Sequence, residues 1–309
     1  MLKDKDKIIL DHLFAYSRFT SKQLSKITNL TQQAVHYKIK KLEEEGYILR
    51  YDAIINWNVI PLIKEIIYIR AKDPNKTLNE LKKNLSVFSI NQVVGDYNLV
   101  VWCFFKNKWQ QIELKNKLKD YKWESLESKE AIFPNMSIFN SAIRLDVPKA
   151  NEGVFKLDKI DIKIMKFLAE GNARESVREI GDKLDIHYDI VYYRLKKLIK
   201  SGYFFKLMAQ VGFNSLELKL SMLLIEVKKG SKIDELVSNL QKTGFLTIMV
   251  TNKTEKIHIN LFSANIEDYW DKVEKIISIL GNDFIGIKNL HIKSTPLLNR
   301  YPLEFLLRS

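Results

Sequence analysis

The amino-acid sequence predicts an α+β fold made of two copies of one unit, each a small helical domain followed by a β-rich module. Residues 2–51 and 157–205 repeat one another at an offset of 155 to 156 residues. Both copies show helical periodicity interrupted at turn residues. Both are followed by segments in the order β-α-β-β-α-β. The repeat, the periodicity and this order together define the predicted architecture.

The composition is typical of a globular protein that binds a polyanion. The chain has 309 residues, a hydrophobic fraction of 46% and a net charge of +13 at pH 7. A field of this sign attracts nucleic acid and weakens with salt. The one cysteine, Cys103, excludes a disulfide framework and argues against a cysteine-rich zinc site. Because the sequence shows no signal peptide and no apolar run long enough to cross a membrane, we expect a cytoplasmic protein without metal or other cofactor.

Each copy of the repeat predicts three helices that include a helix-turn-helix. The short second helix of the first copy is expected to bury Leu24 and Ile27. Capping and turn residues stand at matching positions: Thr20 or Ser21, Asn29, Thr31 and Gly46 in the first copy, and Ser176, Asp185 and Gly202 in the second. The third helix of such a motif enters the major groove of DNA, so both copies predict a DNA-binding domain.

The third helix of the first copy carries a polar face suited to DNA. Val35, Ile39 and Leu42 share an inward stripe at 100° per residue. The opposite side combines amides, which pair with base edges, and cations, which neutralise phosphate. The candidate DNA-binding residues here are Thr31, Gln32, Gln33, His36, Tyr37, Lys38, Lys40 and Lys41. We expect the glutamines and the histidine at the bases and the three lysines at the phosphates.

The third helix of the second copy has a different outward face. Asp189 stands at the position of Gln33, where it repels phosphate unless it accepts from a cytosine amino group. The candidate DNA-binding residues of this copy are His187, Tyr188, Tyr192, Tyr193, Arg194, Lys196 and Lys197. The second helix-turn-helix therefore binds DNA differently, binds it weakly, or serves only as a pairing partner.

The segments after each helix-turn-helix predict two ferredoxin-like βαββαβ modules. The helix expected at 76–85 directs Leu85 inward. A hairpin turns at Gly95 and Asp96 in the first module, whereas residues 252–255 form this turn in the second. Sheets of this kind bury a free face or edge against another copy. We therefore expect the two modules of the chain to pair as an internal pseudo-dimer.

The repeat divides the chain into four predicted domains. Winged helix-turn-helix domains are expected over residues 1–52 and 151–206, and the modules over 53–150 and 207–309. The last segment, 303–309, predicts a short helix that closes the second module or docks on a partner chain.

The motifs resemble the Lrp/AsnC family of transcription regulators, named for leucine-responsive and asparagine-synthetase regulation. The helix-turn-helix likeness is carried by residues 17–48 of the first copy and by 157–168, Arg174-x-Ser176 and 180–204 of the second. The likeness of the modules rests on the hairpin NQVVGDYNLVVWCFF. Members of this family usually carry one such unit per chain and dimerise through the α+β modules, so this chain is similar to a tandem-duplicated member.

This resemblance implies a sequence-specific DNA-binding transcription regulator that is not an enzyme. It implies double-stranded DNA as the partner, an archaeal or bacterial source, a place in the nucleoid, and a homodimer or larger homo-oligomer held by the modules. It also makes Gly95, Asp96 and Tyr97 candidates for binding an amino-acid-like effector. The residues by themselves fit a tight turn equally well.

An enzyme on the same architecture is the first alternative. Sirohaem decarboxylases are similar to this family and pair helix-turn-helix units with α+β units. Residues 98–102 faintly resemble one of their strands, but His258 and His291 stand singly in strand patterns, where a structural histidine is expected. Phosphate-binding loops, HExxH, CxxC and Gly-x-Ser-x-Gly motifs are absent from the sequence.

The second alternative is a sensing or assembly protein whose helix-turn-helix units no longer contact DNA. Asp189 and the acidic run at 43–45 favour it. Binding to random DNA over a salt series separates it from a regulator, since phosphate contacts lower log affinity in proportion to log salt.

Overall fold

The chain forms two compact units, each of which combines segments from both copies of the repeat. The computed structural model describes residues 2–128, 130–132, 138–139, 155–243, 246–251, 255–297, 301 and 303–306. The first unit contains the described parts of 1–59, 135–216 and 303–309, and the second those of 60–134 and 217–302. Both helix-turn-helix segments therefore share one unit, and both β-rich modules share the other.

The described elements follow the predicted α+β succession. The α-helices are α1 (Asp4–Ala15), α2 (Ser21–Thr28), α3 (Gln32–Glu44), α4 (Pro74–Lys82), α5 (Lys108–Lys117), α6 (Lys159–Ala169), α7 (Val177–Leu184), α8 (Tyr188–Lys200), α9 (Ile233–Gln241) and α10 (Ile266–Leu280). The strands are β1 (Ile48–Ile55), β2 (Ile63–Arg70), β3 (Val87–Gly95), β4 (Leu99–Phe105), β5 (Lys122–Ser128), β6 (Glu130–Ile132), β7 (Phe204–Val211), β8 (Lys219–Val227), β9 (Leu246–Thr251), β10 (Lys256–Ser263) and β11 (Phe284–Leu297). The predicted fold class is confirmed.

Local signals in the sequence set the limits of the helices in the first unit. The side chains of Thr20, Thr31 and Ser176 cap α2, α3 and α7 by accepting a backbone N–H of the first turn. Positive φ angles occur at the predicted turn and stop positions: Asn29 (55°), Asp185 (54°), Gly46 (72°) and Gly202 (70°). Short polar residues and glycine tolerate this left-handed conformation, so the chain turns at these positions in both copies.

Strands β1 and β7 join the two helix-turn-helix domains. They pair antiparallel, with Tyr51 opposite Ala209 and Ala53 opposite Leu207. The packing is crosswise, because α1 lies on β7 and α6 lies on β1. Each helical domain thus completes its core with a strand that follows the other domain. The predicted boundaries after residues 52 and 206 fall inside these two strands, so the four-domain division remains a prediction.

The second unit is one antiparallel sheet built from both modules. Its strand order is β5-β2-β4-β3-β11-β8-β10-β9-β6. The modules meet where β3 pairs with β11, with Gly95 opposite Leu290, and where β6 pairs with β9, with Ala131 opposite Val250. Strands β5 and β6 stand at the two ends of this strand order, yet they are separated by one residue in the chain. The predicted internal pseudo-dimer is confirmed in this form.

Helices cover one face of this sheet, and the other face is buried as well. Alternate residues of β2 and β4, among them Ile67, Val101 and Phe105, pack with α4 and α5. The residues between them, such as Tyr68 and Trp102, point to the opposite face and are also buried. Strand β4, LVVWCFF, is accordingly a continuous apolar run.

Two local predictions are wrong, and a third is wrong in one of its two alternatives. Ile27 is 40% exposed, because the short helix α2 buries Leu24 and Thr28 against its neighbours instead. Leu85 is 68% exposed, because α4 ends at Lys82. The segment Leu303–Leu306 is a single 3-10 turn that packs on α6 in the first unit and does not close the second module.

Candidate DNA interface

The outward face of α3 presents the polar side chains that the sequence predicts for base contact. Val35 is fully buried, and Ile39 and Leu42 are nearly so, which fixes the rotation of the helix. Gln32 and Gln33 are exposed on its first turn. The other predicted residues on this face, His36 and Tyr37, are exposed one turn later, and the Thr31 hydroxyl caps the helix by accepting from Ala34 N at 3.1 Å.

The three predicted phosphate-binding lysines of α3 differ in their surroundings. Lys38 Nζ lies 2.6 Å from Asp6 Oδ1 of α1, and both side chains are mostly buried. Lys40 and Lys41 are exposed and make only long contacts, at 3.7 and 3.6 Å, with glutamates one turn along the helix. Exposed pairs of this kind are weak and break readily in favour of phosphate. Lys38 anchors α3 to α1, whereas Lys40 and Lys41 are available to a ligand.

The outward face of α8 is aromatic where that of α3 is polar. Tyr188, Tyr192 and Tyr193 are all exposed, as is Ile190. His187 precedes the helix, and its Nδ1 caps it by accepting from Asp189 N at 3.4 Å. The Asp189 carboxylate lies 3.5 Å from the same Nδ1 and is exposed. All the predicted aromatic candidates of this copy therefore lie on one open surface.

The cations of α8 repeat the division seen on α3. Arg194 Nη1 contacts Asp158 at 2.7 Å and the fully buried Asp161 at 3.2 Å. Burial alone would lower the pKa of Arg194, but the two carboxylates raise it above its ordinary value. Lys196 is exposed, and Lys197 Nζ lies 3.6 Å from the centre of the Phe155 ring. Arg194 thus holds α8 on α6, as Lys38 holds α3 on α1.

Two arginines missed by the sequence analysis connect the domains reciprocally. Arg18 Nη1 donates to Ala173 O at 2.9 Å, and Arg174 Nη1 donates to Ser17 O. The Arg174 guanidinium also lies over the Tyr51 ring at 5.2 Å. Burial lowers the pKa of Arg18, and so does the neighbouring Arg174. These residues keep the offset of the repeat, and that symmetry was the one signal in the sequence that marked them as a pair.

Asn56 adds a further link between the copies. Its side-chain amide donates to Gly202 O at 2.8 Å, and its backbone N–H donates to Tyr203 O at 2.8 Å. The end of β1 is thereby hydrogen-bonded to the residues that follow the C-terminus of α8. Together with the arginine contacts, this bonding joins the two helix-turn-helix domains within one compact unit.

The structure separates the three effector-site candidates. Gly95 has a φ of +147°, and a Cβ added there would lie 2.2 Å from Asn289 O, so glycine permits the close approach of β3 and β11. Asp96 is exposed. Tyr97 is buried and donates its hydroxyl hydrogen to Glu124. Gly95 and Tyr97 therefore have structural roles, and Asp96 alone of the three presents a side chain to solvent.

A charged cluster surrounds the Glu124 carboxylate on the face of the sheet opposite the helices. Lys256 Nζ lies 2.5 Å from Glu124 Oε2, and Lys288 contacts Glu124 Oε1. Glu226 lies 3.8 Å from each of these lysines. Burial alone would raise the pKa of Glu124, but hydrogen bonds from Lys256, Lys288 and Tyr97 lower it to about 2. The cluster ties β5 of the first module to β10 and β11 of the second.

The other chemically reactive side chains are structural. His258 is fully buried, accepts from the Tyr68 hydroxyl and donates to Asn260 Oδ1, each at 2.7 Å. Burial lowers the pKa of His258 to about 4, so the ring is neutral at pH 7. Burial raises the pKa of the Cys103 thiol. Within the described residues, no group of three or more His, Cys, Asp or Glu side chains is placed to hold a metal ion. Among the described helices, none has the length and apolar character needed to cross a membrane.

Comparisons with known proteins agree with this geometry. A winged helix-turn-helix DNA-binding family matches residues 2–48 and 157–204. The HTH-type transcriptional regulator FL11 of Pyrococcus furiosus is 30% identical over 112 residues, which cover 35% of this chain and 73% of that protein. The HTH-type transcriptional regulator Ptr1 of Methanocaldococcus jannaschii is 36% identical over 86 residues, which cover 28% of this chain and 57% of that protein.

The solved structures of one protein match almost the whole chain. The siroheme decarboxylase NirDL superposes with a TM-score of 0.63 over 98% of this chain and 97% of that one, at 11% sequence identity. At this identity the match shows a shared duplicated fold and carries no activity from one protein to the other.

The fold and the two exposed helices define a duplicated helix-turn-helix protein. Its sequence relatives are more specific: the chain belongs to the Lrp/AsnC family of HTH-type transcriptional regulators. The predicted family is confirmed, and so is the predicted class of function, a DNA-binding transcription regulator.

Proposed function

We propose that one chain binds double-stranded DNA with both helix-turn-helix domains at once, as a transcription regulator whose preferred site is asymmetric. One observation supports this above all others: α3 and α8 keep open outer faces while β1, β7 and the reciprocal arginines hold their domains together. A fixed separation between two such helices selects the spacing of two contacted segments of major groove. Because the two outer faces differ, the contacted sequences differ as well.

The side chains divide between base selection and affinity. The exposed amides of Gln32 and Gln33 are placed to hydrogen-bond adenine or other base edges. The predicted contacts of His36 and Tyr37 follow one turn later on the same face. The exposed lysines supply sequence-independent affinity by neutralising phosphates: Lys40 and Lys41 on α3, and Lys196 and Lys200 on α8, with the half-buried Lys197 beside them. Lys38 and Arg194 act by positioning the helices.

Selection of bound sites from a random DNA pool tests this proposal, with the mass of the complex measured in solution. We expect an asymmetric site bound by one chain, and a perfect palindrome bound by one chain would contradict it. Gln33→Ala should change the preferred bases at one end of the site. Lys40→Ala should instead weaken binding to all sequences alike. If both variants altered base preference equally, the division of roles would be wrong.

The effector and the oligomer form a separate part of the proposal. Asp96 carries the one exposed side chain of the predicted effector triad, so we place an amino-acid-like ligand of positive charge beside it. Further copies of the chain assemble through the module surfaces, and the protein acts on DNA in the cytoplasm, at the nucleoid. Thermal-shift assays with single amino acids, repeated on Asp96→Ala, test the ligand. Sedimentation of the free protein tests the assembly.

The proposal includes no enzymatic reaction. It is supported by the buried, hydrogen-bonded state of His258 and by the burial of Cys103, which leave neither side chain open to a substrate. An absorption spectrum after mixing with a tetrapyrrole tests this directly. A Soret band that stays with the protein through gel filtration would contradict it.

A further inference from the structure

We propose that α8 selects its half of the DNA site through the methyl groups of thymine, whereas α3 selects its half through hydrogen bonds. This inference rests on the proposed function, since it requires that α8 enters a major groove. It assigns a chemical basis to the second domain, whose face has neither the glutamines nor the histidine of the first.

The repeat permits a residue-by-residue comparison of the two helices. Both are thirteen residues long, and both bury the same stripe, Val35, Ile39 and Leu42 in α3 and Val191, Leu195 and Leu198 in α8. Equal burial gives the two helices equal rotation in their domains. Residues 156 positions apart therefore face the same way.

Polar groups on α3 are replaced on α8 by larger apolar ones. Tyr188 stands at the position of Gln32, and Tyr192 at that of His36. A third substitution extends the change to the other flank of the helix, where Ile190 takes the place of Ala34. The central tyrosine is kept in both copies.

These apolar side chains are exposed to an unusual degree. The exposed fractions are 47% for Tyr188, 43% for Ile190, 57% for Tyr192 and 64% for Tyr193. These four large side chains lie on the exposed surface of one helix, Tyr188 and Tyr192 on one flank and Ile190 on the other, and together they are called the α8 patch. Exposed apolar side chains grouped in this way mark binding surfaces. The buried stripe of α8 lies on the opposite side of the helix.

The charge around this patch fits nucleic acid. Lys196 Nζ lies 5.9 Å from the centre of the Tyr192 ring, and the exposed Lys200 follows one turn later. On the other side, the His187 ring lies 4.6 Å from that of Tyr188. Aromatic rings set among cations suit a groove that has apolar atoms in its floor and phosphates along its edges.

Thymine is the base that supplies such atoms. In the major groove it alone among the four bases presents a methyl group, at C5, and apolar side chains contact it there. Asp189, which faces outward between Tyr188 and Ile190, accepts from the N4 amino group of cytosine. The α8 half of the site is therefore expected to contain thymines beside a cytosine.

Removing single methyl groups from the DNA tests the inference on the intact wild-type chain. Each thymine of the selected site is replaced in turn by deoxyuridine, and the equilibrium affinity is measured by fluorescence anisotropy. Losing one buried methyl group should lower affinity about threefold to fivefold in the α8 half. In the α3 half the loss should stay under about twofold. Gln33→Ala identifies the α3 half, because its base preference changes there.

A protein variant provides the reciprocal test. The double change I190A/Y192H gives α8 the residues that α3 carries at these positions, so deoxyuridine and thymine should then bind equally in the α8 half. Circular dichroism checks that the variant is folded. Ile112→Ala, an exposed isoleucine on α5 in the second unit, is the matched control and should retain the difference.

The outcomes separate the inference from the proposed function. Tight, salt-dependent binding with no deoxyuridine effect in either half would overturn the methyl contacts and leave DNA binding intact. Absence of binding to any DNA at low salt would overturn both. If I190A/Y192H retained the deoxyuridine effect but lost self-association, the patch would be a protein interface, and the inference would be wrong.

Discussion

Lys38 and Arg194 show how a side chain with the right charge acquires a structural role. Both lie at the flank of the third helix of a helix-turn-helix domain, and both pair with a carboxylate of the first helix of their own domain. The helical period places them correctly on the flank, but it contains no information about an aspartate some 30 residues earlier. The exposed candidates, by contrast, follow from the period alone, because exposure depends only on the stripe that is buried.

Replacement of Lys38 should therefore affect stability more than DNA binding. Lys38→Ala leaves the mostly buried Asp6 without its cation, which should cost about 1–2 kcal/mol of unfolding free energy. It should leave the dependence of log affinity on log salt unchanged. Lys40→Ala should do the opposite, reducing that slope by about 0.9 with little change in stability. Urea denaturation and salt titrations measure the two effects, and a smaller slope for Lys38→Ala would place Lys38 on a phosphate.

Glu124 should make the stability of the protein dependent on acid. Its pKa is about 2 in the folded chain and near 4.5 without its partners. A carboxyl group with a lowered pKa contributes stability above its unfolded value, and this contribution is lost as the pH falls from about 4.5 towards 2. Since the group is partly solvated, screening reduces the full linkage value to about 1–2 kcal/mol.

Urea midpoints between pH 7 and pH 3 measure this contribution in the wild type and in Glu124→Gln. The variant should be less stable at pH 7, and the difference between the two proteins should shrink as the pH falls below about 4.5, with part of it remaining at pH 3. Glu113→Gln removes an exposed glutamate of α5 whose partner is Lys117, and serves as the control. A difference between Glu124→Gln and the wild type that stayed constant with pH would show that the carboxylate charge is not involved.

At the scale of elements, capping and turn chemistry made the helix-turn-helix units predictable. Thr31, Asn29 and Gly46 act through atoms within a few residues, so a single sequence contains the whole signal. The pairing of β1 with β7 joins residues about 156 positions apart, and no local pattern encodes it. For the same reason, the contact of the last described turn with α6 was not predicted. Leu85 was placed wrongly because α4 ends at Lys82, three residues earlier than predicted. The fold class was predictable from the sequence, whereas the strand pairings between the two repeats were not.

Gly95 lies where β3 of the first module pairs with β11 of the second, and its replacement tests this pairing. Gly95→Ala adds a Cβ that overlaps Asn289 O and strains a positive φ, so we expect a loss of about 2–4 kcal/mol in unfolding free energy. Gly286→Ala, in the same strand β11, meets no atom within 4 Å and should change stability by about 0.5 kcal/mol or less. Chemical denaturation compares the two, and equal effects would show that the strands separate easily at this joint.

At the scale of the whole molecule, the two sequence halves depend on each other. Both sheets contain strands from each half, through β1 with β7, β3 with β11 and β6 with β9. Strand edges that lose their partners expose unpaired backbone and apolar surface. Residues 1–150 and 151–309 expressed together should therefore co-purify as a one-to-one complex, and each alone should aggregate or unfold without cooperativity. A half that is monomeric and unfolds cooperatively by itself would contradict this.

The reciprocal contacts of Arg18 and Arg174 have a consequence for how the two domains diverge. In a homodimer, every substitution on a DNA-facing helix appears twice, so a new base preference must suit both halves of the site simultaneously. Here both helix-turn-helix domains belong to one chain. The arginines and the pairing of β1 with β7 hold them together whatever side chains their outer faces carry. Natural selection is thus free to alter one specificity while conserving the other, and targets with no inverted symmetry become accessible to a single gene product.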